Sequence, residues 1–177
     1  MNPTRAKKSV SIVLAALLAL ALPGATLAAS VTQDAQETLN VAYTTTLTGV
    51  PATIDYGKAL GGQTVQSPTF PMTATTNDPN GLTVSWSATA LASGGNSIPA
   101  TAHSLLVPAF PSGCTPQGAF ATTPIAPRAY TSGDMTICAS SSATTLSFTG
   151  LRIDLAIPAS QALGTYTGTV TFKVSER

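Results

Sequence analysis

Apolar side chains recur at every second position along most of this chain, and that spacing restricts the fold more than any other feature. Leu82, Val84, Trp86, Ala88 and Ala90 share one parity, while Thr83, Ser85, Ser87 and Thr89 share the other. The alternation repeats in Leu39, Val41, Tyr43 and Leu47, in Ile54 and Tyr56, and in Phe70, Met72 and Ala74. It returns in Met135 and Ile137, in Leu146 and Phe148, in Leu151, Ile153, Leu155 and Ile157, and in Tyr166, Gly168, Val170, Phe172 and Val174. A period of two is that of a strand with one buried face, and Trp86 falls on the buried parity as a core residue. Thr and Ser supply 42 of the 149 residues that follow Ala28, a composition that favours strands over helix interiors. These features predict an all-β fold: a single Ig-like antiparallel β-sandwich of about eight strands.

Turn chemistry separates the alternating runs. Asn77-Asp78-Pro79-Asn80-Gly81 reads as a hairpin or tight corner, since Pro presets φ and Asn-Gly tolerates positive φ. At Thr149-Gly150 the apolar parity flips from even to odd, which requires a bulge or a turn. Residues 97–142 break the pattern. Prolines at 99, 108, 111, 116, 124 and 127 predict a Pro/Gly-rich insertion with short edge strands at best, because Pro cannot donate to a ladder. Long loops in compact domains often carry function, so its Phe110, Phe120, Arg128 and Tyr130 are the candidate interaction residues.

The beginning of the chain has a different character. Arg5, Lys7 and Lys8 precede an apolar run from Val10 to Leu22, then Pro23-Gly24 and the small residues Thr26 and Ala28. This is the three-part layout of a secretory signal peptide over residues 1–28, with cleavage after Ala28 and the mature domain spanning 29–177. The run is shorter than the ~20 residues a membrane span needs, so no span is expected after cleavage. Export also suits the two cysteines, Cys114 and Cys138, which an oxidising compartment would join across the second half of the insertion.

Charge and motif content narrow the function. From Ala29 onward five basic groups face seven acidic ones, a net charge of −2, which does not suit a nucleic-acid binder. His103 is the one histidine, and no Gly-x-Ser-x-Gly surrounds any serine. Five scattered Asp and two Glu give no paired-carboxylate motif, so no catalytic residues are assigned. Asp78 with Asn77 and Asn80 could offer oxygens to calcium, but turn chemistry already accounts for them, and no cofactor or metal is expected.

Two stretches carry a resemblance. One runs through Ile54-Asp55-Tyr56-Gly57, Gly61-Gly62-Gln63-Thr64-Val65 and Thr75 to Ser85; the other is Ile157-Pro158 followed by Leu163-Gly164-Thr165-Tyr166 and the strand to Val174. This layout resembles bacterial secreted Ig-like surface proteins, of the WxL type or the spore-coat-U and pilin-like subunits. Trp86-Ser87-Ala88 departs from Trp-x-Leu. The resemblance implies a secreted, non-catalytic structural or interaction module of the cell surface. Its partner would be an envelope component or a second copy, met through an edge strand: Leu39–Leu47, with no charge on its outer face, is the better candidate, and Tyr166–Val174, guarded by Lys173 and the Glu176-Arg177 end, is the other. The alternative is a soluble glycan- or protein-binding module that uses the Pro-rich loop.

Overall fold

Strand β3 (Phe70–Thr76) shows how the alternation becomes a sheet face: Phe70, Met72, Ala74 and Thr76 are buried, and the residues between them are not. The computed structural model describes residues 42–121 and 125–177. The expected export signal, residues 29–41 and the start of the Leu39 run lie outside the described residues.

Preceding β3 are β1 (Thr45–Thr48) and β2 (Thr64–Gln66); following it are β4 (Leu82–Ala88), β5 (Leu91–Ser93) and β6 (Asn96–Ile98). Next come β7 (His103–Leu106), β8 (Thr115–Pro116), β9 (Arg128–Ala129) and β10 (Met135–Ala139). The long β11 (Thr144–Ala156) and β12 (Val170–Glu176) complete the domain. One sheet has the order β1-β3-β11-β7-β9, with β2 also on β11; the second has the order β12-β4-β10-β8; β5 and β6 form a small hairpin. All of these pairings are antiparallel. The protein is an all-β antiparallel sandwich, with twelve strands among the described residues where about eight were expected, because several have only two or three residues.

The two main sheets share one core. Met72, Leu82, Val84, Trp86, Leu105, Ile137, Leu146, Phe148, Leu151 and Ile153 are all under 2% exposed, and they come from both sheets. Phe70 of β3 meets Phe172 of β12 edge-on across the layers, with ring centroids 5.8 Å apart. Burying a side chain of this size contributes roughly 1.5–3 kcal/mol, which is why the strict alternation decides the fold.

The Asn77–Gly81 segment is a corner between sheets, since β3 and β4 do not pair with each other. Asp78 N donates to Thr76 Oγ1 (3.1 Å), and Asp78 Oδ1 accepts from Asn80 N (2.9 Å), closing an Asx turn. Gly81 lies at φ +90°, where an added Cβ would collide with the Ser140 carbonyl. The parity flip is a bulge within β11: its register against β3 shifts between Phe148 and Leu151.

Two expectations need correction. Residues Ile54 and Tyr56 form no strand; Asp55 Oδ1 accepts from Gly57 N (2.8 Å), and Gly57 takes φ +69°, so the chain turns there. The 97–142 insertion is not a displayed loop with edge strands. It supplies β7, held between β11 and β9, and β10, held between β4 and β8. Pro99, Pro108 and Pro127 fall near the ends of short strands and Pro116 lies on the edge strand β8, where no ladder donor is required.

Candidate functional site

The candidate interaction residues of the insertion turn inward. Phe120 is 5% exposed and Tyr130 is 7% exposed, both within the main core. Phe110 is half-buried against the same core. Arg128 sits half-buried in β9, opposite Leu105 of β7. The Tyr130 ring packs edge-on against Trp86, and its hydroxyl donates to the Gly133 carbonyl (3.1 Å). These four residues therefore do not assemble an outward-facing surface. Hydrophobic residues spaced irregularly among prolines look like a display loop in sequence, but they anchor the segment to the sandwich.

Cys114 and Cys138 are joined, with Cα atoms 5.7 Å apart. Cys138 is fully buried in β10, so the bridge ties the 107–121 segment to an inner strand. Among the described residues no helix is long and apolar enough to cross a membrane. Among the same residues no three His, Cys, Asp or Glu side chains gather as a metal set.

A concave feature of the surface lies beside the β5–β6 hairpin, lined in part by its Leu91 and Ile98. Residues 51–61 form one wall and 161–170 the other, around a groove of about 830 Å³. Leu91, Ile98 and Leu155, each buried, make a second small apolar cluster beneath it, with Val65, Ile157, Tyr56 and Tyr166 packed against that cluster. Main-chain hydrogen bonds hold both walls. Gly62 N donates to the Ile157 carbonyl (2.9 Å), and Ile157 N donates to the Gln63 carbonyl (2.8 Å). On the other wall, Ala92 and Thr167 exchange bonds of 2.8 and 3.0 Å.

Three of the polar side chains lining this groove, Tyr166, His103 and Tyr56, differ in their bonding. Tyr166 Oη donates to the Ala162 carbonyl (2.8 Å) and accepts from Gln161 Nε2 (2.6 Å). His103 Nδ1 lies 3.0 Å from the Ala100 carbonyl. A carbonyl only accepts, so Nδ1 carries the proton and Nε2 is left as an acceptor. Burial pulls the His103 pKa below its ordinary value, against a smaller upward effect of that carbonyl. Tyr56 Oη is buried and has no hydrogen-bond partner among the described residues. Burial, reinforced by the Asp154 carboxylate, pushes its pKa up to about 12.

Asp154 is 5% exposed, and Arg152 clamps it with two bonds, Nε to Oδ1 at 2.7 Å and the second guanidinium nitrogen to Oδ2 at 3.1 Å. In the sequence Tyr56 is part of an alternating run and of the resemblance, with no functional role, and the groove has no sequence signature. The Asp55-Tyr56-Gly57 turn was the one local sign of an aromatic held at a bend.

No protein-family model and no curated protein matches the chain. Among solved structures it is similar to a family 123 glycoside hydrolase from Clostridium perfringens, studied for glycolipid glycan hydrolysis, with a TM-score of 0.39 and 18% identity. The match covers 67% of this chain and 19% of that one, so the chain spans a minor part of that enzyme's length.

Proposed function

We propose that this protein is an exported, non-catalytic module of the cell surface that associates with a second copy of itself through a sheet edge. The observation that carries this reading is the position of β12. It pairs with β4 along all seven of its residues and, among the described residues, ladders onto no second strand, although β1 lies close by and Thr45 Oγ1 donates to Glu176 Oε1 (3.3 Å). β1 also ends its sheet, but it has four residues against seven. Lys173, the charge expected to guard this strand, is drawn toward Asp134, with Nζ 3.2 Å from Oδ2. The disulfide fits the oxidising compartment that the export signal implies. His103, on which a Ser-His-Asp arrangement would depend, is bonded through Nδ1 to a main-chain carbonyl rather than to a carboxylate.

Light scattering on the protein starting at Ala29, together with cell fractionation, tests the reading. The wild type should self-associate or remain with the envelope, and the Thr171→Lys/Ser175→Lys double variant should shift toward monomer while keeping its fold. A wild-type monomer at high concentration, absent from the envelope fraction, would remove the assembly reading.

A further inference from the structure

Both walls of the groove carry main-chain groups that the chain itself leaves unpaired. Residues 165–169 lead into β12 and run beside 89–92, where Thr167 exchanges both of its main-chain bonds with Ala92. Successive residues of an extended strand turn these groups to opposite edges, so Tyr166 and Gly168 direct theirs away from 89–92. Neither makes a main-chain hydrogen bond among the described residues, and both line the groove. The facing wall repeats the feature. Residues 51–56 belong to no strand and make no main-chain bond among the described residues.

These groups are open to the surface. A glycine has no side chain, so its exposure is that of its main chain, and Gly57, Gly164 and Gly168 of the groove are all exposed. Glycine in extended chain marks places where another backbone can approach closely. The walls are also fixed before anything binds. An added Cβ at Gly61 would come within 2.6 Å of the Ala159 carbonyl oxygen, and one at Gly168 within 3.0 Å of the Ala90 carbonyl oxygen. Each wall is therefore held against its support at main-chain distance.

The side chains around the slot are apolar or balanced in charge. Ile54 and Val170 are half-buried, one on each wall. Leu60 and Leu163 stand on opposite rims at 68% and 99% exposure. Asp55 and Lys58 contribute one charge of each sign, which suits a neutral occupant. A lone extended segment has donors and acceptors along both of its edges, and its side chains alternate inward and outward. The edge of a folded sheet offers one such row only, so a single strand alone can serve two walls.

We propose that the groove takes up one extended, uncharged peptide segment of another protein as an added strand between the Tyr166–Gly168 edge and residues 51–56. Five residues of extended chain, about 17 Å, match the 165–169 wall. Their inward side chains, small and apolar, rest on Ile54 and Val170, and Leu60 and Leu163 border the outward ones. The slot continues the edge of β12 beyond the stretch that β1 approaches. It works within one copy of the chain, whether or not two copies associate.

The test uses the protein starting at Ala29 and a capped five-residue peptide of alternating valine and threonine. Backbone-amide NMR titration should give saturable shifts confined to the two walls, and the amide protons of Tyr166 and Gly168 should exchange with solvent at least about tenfold more slowly at saturation. The same peptide N-methylated at alternate residues should bind about tenfold more weakly for each hydrogen bond lost. Leu163→Ser, at a fully exposed rim, should weaken the parent peptide about threefold and leave the fold intact. Equal affinity for the parent and N-methylated peptides would overturn the proposal, as would the absence of saturable shifts at millimolar peptide. Shifts of the same amides with cellohexaose but not with the peptide would overturn it in favour of a glycan. Shifts of Tyr166 and Gly168 that grow with protein concentration alone would overturn it in favour of a second copy.

Discussion

The indole of Trp86 and the ring of Tyr130 meet edge-on, with centroids 5.4 Å apart and planes at 66°. The contact joins an inner strand of one sheet to a segment whose prolines mark it as surface loop. It places the insertion inside the stability of the sandwich, beyond its role as a connection. Tyr130→Ala should therefore destabilise the domain by about 3 kcal/mol through loss of packed volume. Tyr130→Phe, which removes the bond to the Gly133 carbonyl, should cost about 1 kcal/mol. Urea unfolding of both variants measures the difference. Equal, near-zero effects would mean that the ring is not part of the cooperative core.

The disulfide should act with that contact. Closing a loop over a sequence separation of 24 is expected to stabilise the fold by about 3 kcal/mol through the unfolded state. Unfolding with and without reductant should show a lower midpoint when the bridge is open. A Cys114→Ala/Cys138→Ala variant should match the reduced protein. An unchanged midpoint would mean that the core contacts of Phe120 and Tyr130 alone hold the segment.

Stability should have a plateau in pH bounded by two groups in the groove. His103 has a folded pKa below its ordinary 6.5, so the unfolded chain takes up the proton first as pH falls. Its contribution is complete above pH 6.5 and is lost below it. Tyr56, raised from 10.0 to about 12, behaves in the opposite sense. Its protonated form is favoured in the fold, so stability falls as pH rises from 10.0 toward about 12. Thermal melts across this range should show both limbs, with His103→Gln flattening the acid one and Tyr56→Phe the alkaline one.

Two glycines at positive φ should respond very differently to substitution. Gly81→Ala drives a Cβ into the Ser140 main chain at φ +90° and should cost about 2 kcal/mol or more. Gly94, at φ +56° with nothing within 4 Å, should accept Asn with a loss of about 0.5 kcal/mol or less. Denaturation midpoints of the two variants check the contrast.

The extent to which the sequence was legible follows from how local each feature is. Alternation in β3, β4, β11 and β12 is a property of neighbouring residues, and it was read correctly, as were the corner at Asp78 and the bulge near Gly150. Ile54 and Tyr56 share that alternation, yet a positive-φ glycine and an Asx turn next to them override it. The prolines of the insertion misled for a related reason: a strand as short as β7 fits between Pro99 and Pro108 without losing a ladder donor. The groove was not legible at all. Tyr56, Leu91, His103, Leu155 and Tyr166 carry no shared motif, and only tertiary folding brings them together.

Strand β11 pairs with β3, β2 and β7, and β12 pairs with β4, so neither main sheet can close until the end of the chain is present. Thr75 and Thr145, hydrogen-bonded between neighbouring strands, are 70 residues apart in sequence, and Thr89 and Thr169 are 80 apart. A chain threaded through a narrow channel from its N-terminus would thus reach the far side before it could complete a sheet. Such distant pairings make folding slow and late. In the export proposed for this protein, the same topology that delays folding keeps the chain competent for transport.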